Sequence, residues 1–136
     1  MSENNKHSEL TKLIIKAYYN VYNKLGYGFL EKVYERAMLI ELHELGMKAS
    51  SQLPINVYYN EQEVGNYYAD IMVEGSVIIE LKASESLCEE DEAQLTNYLR
   101  ATTIEVGLLL NFGKTAQFKR KVFSNSFKQN KNLNLS

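Results

Sequence analysis

The sequence lacks the features on which secreted and membrane proteins depend. Its apolar runs all fall short of the roughly 20 residues that cross a bilayer, and its first residues, 1–6, are polar with no apolar segment behind them. Its one cysteine, Cys88, excludes an internal disulfide, which agrees with a reducing compartment. We therefore expect a cytoplasmic protein with no secretory signal and no membrane partner. Neither histidine lies near Cys88 in sequence, so we assign this thiol no catalytic role.

Basic residues are almost absent from the middle of the chain. Lys82 is the only lysine or arginine between Lys48 and Arg100, whereas ten acids lie within residues 61–92. By contrast, residues 106–136 carry six bases and no acid. Segregation of this kind is typical of proteins that need both a cation site and a surface that attracts phosphate. A solvated basic tail explains the last lysines equally well.

Length and periodicity predict one α/β domain. The chain has 136 residues, of which 45% are apolar and 24% charged, as in a soluble protein with its own core. We expect residues 1–123 to form this domain and the polar, basic residues 124–136 to form a flexible tail. Periodicity predicts helices over 9–24, 29–45 and 85–100, and strands over 55–59, 63–73, 77–82, 106–112 and 117–123. The order α-α-β-β-β-α-β-β predicts a sheet built from a hairpin meander and a helical crossover.

Three charged side chains fall on one predicted hairpin. With a turn at residues 74–76, Asp70 lies opposite Glu80, and Lys82 shares their face because side chains alternate along a strand. Carboxylates are ligands that Mg²⁺ prefers, and a bound Mg²⁺ polarises a phosphoryl oxygen and lowers the pKa of water. A lysine beside them can orient that water or stabilise the transition state. The alternative is an ordinary cross-strand salt bridge of Lys82 with Asp70 or Glu80.

Five short motifs follow one another along the chain. They are Gly28-Phe-Leu-Glu31-Lys-Val-Tyr34, then Asp70, Ile79-Glu-Leu-Lys-Ala83, Gln94-Leu-Thr-Asn-Tyr98 and Gly107-Leu-Leu-Leu-Asn-Phe112. In this order the chain, from about residue 10 to residue 122, resembles the GxxExxY family, a branch of the PD-(D/E)XK nuclease superfamily. The resemblance implies a restriction-endonuclease-like fold, in which a mixed central β-sheet is flanked by helices.

The resemblance also implies roles for the residues of these motifs. Asp70 and Glu80 would hold the metal, Mg²⁺ or Mn²⁺, and Lys82 would assist the water nucleophile. Glu31 would complete the acidic cluster as a third metal ligand, although a first-turn acid favoured by the helix dipole is its alternative role. Gln94 and Tyr98 would point together at the site, because residues four apart share one face of a helix.

Some motif residues have simpler interpretations, and two positions depart from the family pattern. Tyr34 and Tyr98 fit core positions as well as site positions, and Gly28 is expected where a side chain would clash at the helix entry. Family members often carry a histidine three residues before the glutamine, where this chain has Asp91. No proline stands just before Asp70, where the chain has Tyr68 and Ala69, but many superfamily members dispense with that proline.

The leading functional hypothesis is a Mg²⁺-dependent nuclease that acts on DNA, with RNA as the alternative substrate. We expect a homodimer, because a two-fold protein cuts both strands of two-fold DNA most simply. The pairs Tyr18-Tyr19 or Tyr58-Tyr59 would supply the interface. The rival hypothesis is a non-catalytic nucleic-acid-binding or protein-interaction domain that retains the nuclease fold, which the net charge of −2 favours. A hydrolase of a smaller phosphate ester is a third hypothesis.

Overall fold

The structure, a computed structural model, describes residues 7–128. The elements are α1 (Ser8–Leu25), α2 (Glu31–Glu44), β1 (Ala49–Tyr59), β2 (Gln62–Val73), β3 (Val77–Lys82), α3 (Glu89–Ala101), β4 (Val106–Phe112) and β5 (Ala116–Val122). The strands form one sheet in sequence order, in which only β3 and β4 are parallel, joined by the crossover helix α3. The predicted α/β fold with a mixed sheet is confirmed. None of the described helices is long and apolar enough to cross a membrane.

The two faces of the sheet are covered by different helices. Val77, Ile79 and Leu81 of β3 belong to the larger core cluster, in which buried residues of α1 and α2 pack on the sheet. Ile78, between them, belongs to the smaller cluster with Leu95 of α3. Alternation along β3 therefore divides one strand between two cores. The neighbouring strand β4 is buried along its whole length, as expected when both faces of a sheet are covered.

Tyr34 is a core residue that fixes the connection between α1 and α2. Its ring is fully buried and stacks on Phe112 with 4.0 Å between centroids. Its hydroxyl donates to the Gly26 carbonyl oxygen at 2.7 Å and accepts from the Phe29 N–H at 3.2 Å. Gly28 lies in this connection with φ 109°, and a Cβ at this glycine would meet no atom within 4 Å. The expected clash at Gly28 is therefore wrong, because the backbone conformation and not the space demands glycine.

Several element boundaries differ from the predicted ones because tertiary contacts decide them. The first half of β1 has no alternating pattern, yet Ala49 pairs with Val73 and extends the strand. Helix α3 begins at Glu89 and not at residue 85, because Asn111 holds the preceding loop through two hydrogen bonds with the Ser84 backbone. Long-range partners of this kind are invisible to periodicity.

The residues after β5 continue the folded domain. Residues Asn125–Phe127 form a short 3₁₀ helix, and Lys128 Nζ donates to the carbonyl oxygens of Thr102 and Ile104 at 2.7 and 2.9 Å. Lys128, in the segment 124–136 predicted to be a flexible tail, thus satisfies carbonyl groups just beyond the end of α3, and the flexibility of the segment stays a prediction. Residues 129–136 of that predicted tail lie outside the described residues.

Candidate functional site

The candidate site lies where the backbone ladder between β2 and β3 gives way to side chains. The hairpin has the predicted turn, and its ladder pairs Val73 with Val77 and Ile71 with Ile79. At the next position the Asp70 N–H donates to Glu80 Oε2, and the Leu81 N–H donates to Asp70 Oδ2, both at 2.8 Å. The Glu80 carboxylate therefore binds the main-chain amide of Asp70 itself, and the Asp70 carboxylate binds the amide of Leu81, the residue after Glu80. The hairpin brings Asp70 and Glu80 together.

The strand on the other side of Asp70 is also irregular. Ser51 pairs with Ile71 and Leu53 pairs with Ala69, but Gln52, between them, is not paired with Asp70. Gln52 has φ 58°, a left-handed conformation that is uncommon for a residue other than glycine and that tends to occur at functional sites. Asp70 is thus released from regular pairing on both sides.

Burial dominates the electrostatics of the two carboxyl groups. Burial, and then the negative charge of Asp70, raise the pKa of Glu80 to about 8. Burial also raises the pKa of Asp70, with further increases from the charges of Glu35 and Glu31. The hairpin pairing predicts that mutual repulsion raises the pKa of one of the two acids. The charge of Asp70 does act on Glu80 in this direction, but desolvation is the larger cause. In the metal-free protein the pair therefore tends to retain a proton, and a bound cation would favour the ionised form.

Lys82 is paired with an acid on the crossover helix. Its Nζ lies 3.8 Å from Asp91 Oδ1, and about three quarters or more of each side chain is buried. Asp91 Oδ2 also accepts a hydrogen bond from the Cys88 N–H at 3.2 Å, which caps the first turn of α3. The positive charge of Lys82 still lowers the pKa of both Asp70 and Glu80, so it lies near them. Within residues 7–128 its ion-pair partner is thus Asp91, and not Asp70 or Glu80 as in the cross-strand alternative.

Helix α2 contributes the acids Glu31 and Glu35. Glu31 is exposed in the first turn of the helix, and its charge raises the pKa of both Asp70 and Glu80. Within residues 7–128 no three acidic, histidine or cysteine side chains are arranged to hold one metal ion. The role of Glu31 as a third ligand therefore stays a prediction. Asp70 and Glu80, by contrast, each accept a hydrogen bond from the strand that carries the other.

Sequence reasoning missed Glu35, one helical turn after Glu31 on the same face. Only 6% of Glu35 is exposed. The charge of Glu35 raises the pKa of Asp70 more than the charge of Glu31 does. Gln52 Nε2 donates to Glu35 Oε1 at 3.0 Å, so the irregular strand β1 also positions this acid. The signal that could have found it is an acid on the buried stripe that Met38 and Leu42 continue along α2.

Gln94 and Tyr98 lie on α3, and Tyr98 is near enough to the carboxyl groups to feel their charge. Gln94 Nε2 donates to Tyr98 Oη at 2.7 Å, so the two side chains do lie on one face of the helix. Tyr98 is 5% exposed and belongs to the smaller core cluster. Burial raises its pKa, and the negative charges of Glu80 and Asp70 raise it further. Tyr98 is therefore both a core residue and a neighbour of the site.

Comparison with known proteins identifies the family and the fold. The family model of the PD-(D/E)XK nuclease superfamily matches residues 8–122. The fold is similar to the crystal structure of SSO0001, with a TM-score of 0.56 and 18% sequence identity. The match covers 90% of this chain but only 62% of SSO0001. Because the sequence identity is low, the likeness concerns the fold alone. No curated protein matches the sequence. The restriction-endonuclease-like fold is confirmed, and the chain belongs to the PD-(D/E)XK nuclease superfamily.

Proposed function

We propose that this protein is a divalent-metal-dependent nuclease that hydrolyses phosphodiester bonds of DNA at Asp70, Glu80 and Lys82. The observation that carries the proposal is the pair of largely buried carboxyl groups held at adjacent positions on β2 and β3. A structural ion pair would match each acid with a base, whereas here two acids face each other and the nearby lysine is bound to Asp91. The order of its motifs supports membership of the GxxExxY branch.

The two acids fit a hard divalent ion such as Mg²⁺ or Mn²⁺. One oxygen of each carboxylate accepts a main-chain amide, and the other, Asp70 Oδ1 or Glu80 Oε1, accepts no hydrogen bond from residues 7–128. Mg²⁺ is typically held by one or two carboxylates together with waters and substrate phosphate. Asp70 and Glu80 would hold the ion, with Glu31 as a third ligand. When bound, the ion would polarise the phosphoryl oxygen and lower the pKa of water.

Lys82, Gln94 and Tyr98 act on the substrate side of this pair. Lys82 orients the attacking water and stabilises the charge that develops on the phosphoryl oxygens. In the metal-free protein the ion pair with Asp91 keeps the ammonium group of Lys82 near the carboxylates. Asp91 occupies the position where family members often have histidine. The hydrogen-bonded Gln94 and Tyr98 position the strand that is to be cut.

The proposed partner is DNA, and the proposed assembly is a homodimer in the cytoplasm. The candidate phosphate contacts are Arg100, Lys119, Arg120 and Lys121, although Lys121 is paired with Glu92 at 2.6 Å. Tyr18 is fully buried and cannot supply the dimer interface, so Tyr19 or the more exposed Tyr59 is the better candidate. Sedimentation of a concentrated sample tests the dimer, and a monomer would favour nicking or cleavage of single strands.

A metal titration with Lys82→Ala tests the proposed function. Supercoiled plasmid and single-stranded DNA are incubated with the wild type, Lys82→Ala and the control Lys12→Ala, whose exposed lysine lies on α1. We expect the wild type and the control to cleave DNA only with Mg²⁺ or Mn²⁺, and Lys82→Ala to lose about 10²-fold or more in rate. Calorimetry should show unchanged metal binding by Lys82→Ala.

Two results would contradict this proposal. Full cleavage by Lys82→Ala, at matched stability and saturating metal, would remove the role of Lys82. Binding of DNA without cleavage by the wild type under any divalent ion would favour the non-catalytic binding domain, the alternative that the net charge of −2 supports.

A further inference from the structure

A cavity of about 620 Å³ lies between the β1–β2 hairpin and α3, next to the candidate site. Its walls include Gln94 and Tyr98, which are hydrogen-bonded to each other, and Tyr98 lies near enough to Glu80 and Asp70 for their charges to raise its pKa. Neither Asp70 nor Glu80 lines it, so it extends the site and does not contain it. Ligand pockets typically enclose roughly 300–1,000 Å³, so this space accepts a small molecule or one unit of a polymer.

One wall of the cavity carries an acceptor without a donor. Asn56 Oδ1 is buried and has no hydrogen-bond partner within residues 7–128. Buried side-chain acceptors nearly always have a partner, and each exception calls for an explanation. Because this oxygen has almost no accessible surface, the Asn56 amide must turn toward the cavity before an N–H group of a ligand can satisfy it. The exposed amide of Asn97 lines the same cavity and offers both a donor and an acceptor.

Another wall is aromatic. The rings of Tyr67 and Tyr98 lie with centroids 6.0 Å apart, and Tyr67 is 48% exposed. Gly65 stands beside Tyr67, and a Cβ at this glycine would lie 3.0 Å from Tyr67 Cε2. A side chain at position 65 would thus displace the ring, so glycine leaves Tyr67 free to lie along the wall. Flat aromatic surface beside amide groups is the combination that binds single-stranded bases.

The charged residues at the cavity favour an uncharged ligand. Glu90 and Arg100 are its charged lining residues, and their opposite charges leave no net field for an anion. The guanidinium of Arg100 also lies over the Phe123 ring, 5.2 Å from its centroid. A phosphate group inside the cavity would meet one acid together with one base. A base of a nucleic acid, which is neutral and planar, suits this lining better.

We propose that the cavity receives one unpaired nucleobase of the DNA strand whose phosphodiester lies at Asp70 and Glu80. The inference rests on the proposed nuclease function for the identity of the strand. The base stacks on Tyr67, and its edge donates to Asn56 Oδ1. A base inside a duplex must leave the stack before it can enter such a pocket. The protein therefore acts on single strands, on strand ends, or on a nucleotide flipped out of a duplex.

Binding and cleavage of an oligonucleotide with one modified position test this inference. A single-stranded DNA carries either 2-aminopurine or an abasic site, moved along the strand, and binding is measured with Ca²⁺ in place of Mg²⁺. We expect a change in 2-aminopurine fluorescence at one position, and the abasic site there to weaken binding by roughly 5- to 100-fold, the usual loss for one base–aromatic stack. Tyr67→Ala should cause a similar loss on the intact strand and almost none on the abasic strand.

Two further variants keep the test decisive. Tyr27→Ala removes an exposed tyrosine from the connection between α1 and α2, which does not line the cavity, so it should bind like the wild type. Asn56→Ala should weaken binding of the intact strand and leave binding of the abasic strand unchanged. Equal binding of intact and abasic strands by the wild type at every position would overturn the inference. A second copy of the chain that fills the cavity would give this same result.

The proposed function and this inference fail in distinguishable ways. Metal-dependent cleavage that requires Asp70 but is insensitive to abasic sites would leave the nuclease standing and remove the base pocket. Binding that depends on Tyr67 and on one base, without cleavage under any divalent ion, would leave the pocket standing and remove the nuclease.

Discussion

The two faces of the sheet differ in how completely apolar side chains fill them. On the face toward α1 and α2, the side chains of β3 are apolar and fully or almost fully buried, and Tyr34 and Phe112 fill the space with stacked rings. On the face toward α3, the same strand presents Glu80 beside Asp70. On this face the β1–β2 hairpin and α3 also enclose the cavity. One strand thus contributes stability through one set of alternate residues and chemistry through the other.

The division predicts that large losses of stability come from the α1–α2 face. Leu108 of β4 is fully buried in the larger core cluster, opposite Ile79 in the ladder. Leu108→Ala should lower the free energy of unfolding by about 2–5 kcal/mol, because it leaves a cavity in a packed core. Urea unfolding measures this loss. The cleavage rate per folded molecule should stay close to wild type, and a specific loss of activity would show that the faces are not separate.

The α3 face should instead show a stability that depends on pH. Because the pKa of Glu80 is raised to about 8 in the folded state, that state retains a proton that the unfolded chain loses at lower pH. The stability of the metal-free protein should therefore fall as pH rises between the unfolded pKa, about 4.3, and about 8, by at most about 1.4 kcal/mol per pH unit.

Glu80→Gln should remove most of this dependence and raise the free energy of unfolding above that of wild type at pH 8. Urea unfolding between pH 5 and 8 checks it, with Glu63→Gln as the control because Glu63 is exposed on the neighbouring strand β2. The same Glu80→Gln protein should no longer bind Mg²⁺ in calorimetry. Retention of the wild-type pH dependence would mean that Asp70, and not Glu80, holds the proton.

The contrast also explains what the sequence could and could not predict. Asp70 and Glu80 were predictable because a short turn fixes the register, and the register fixes which residues face each other. Their roles in catalysis stay predictions. The pairing of Lys82 with Asp91 depends on where α3 crosses the sheet, and no local pattern encodes that distance.

Glu35 and the cavity depend on tertiary structure in the same way. Glu35 joins the acidic neighbourhood because it lies on the buried face of α2, and Gln52 of β1, in a left-handed conformation, donates to it. The cavity exists because the long hairpin extends over α3, which periodicity does not describe. Sequence patterns predict partners within one hairpin or one helix far better than partners between layers.

A matched pair of tyrosines sharpens the comparison with the smallest expected effect. Tyr34 and Tyr98 both have buried rings, and the hydroxyl of each takes part in hydrogen bonds. Replacing either with phenylalanine keeps the ring and should lower the free energy of unfolding by about 0.5–1.5 kcal/mol, the net value of a typical hydrogen bond. Thermal and urea unfolding should give similar losses for both variants.

Only Tyr98→Phe should change cleavage, because its hydroxyl accepts from Gln94 beside the carboxyl groups, whereas the Tyr34 hydroxyl binds the connection between α1 and α2. Without its acceptor, the Gln94 amide loses its fixed orientation, so the strand is positioned less well and the cleavage rate falls several-fold at saturating Mg²⁺. Tyr34→Phe serves as the control for the loss of stability itself. Equal cleavage by both variants would reduce Tyr98 to a core residue, which is the alternative that its burial supports.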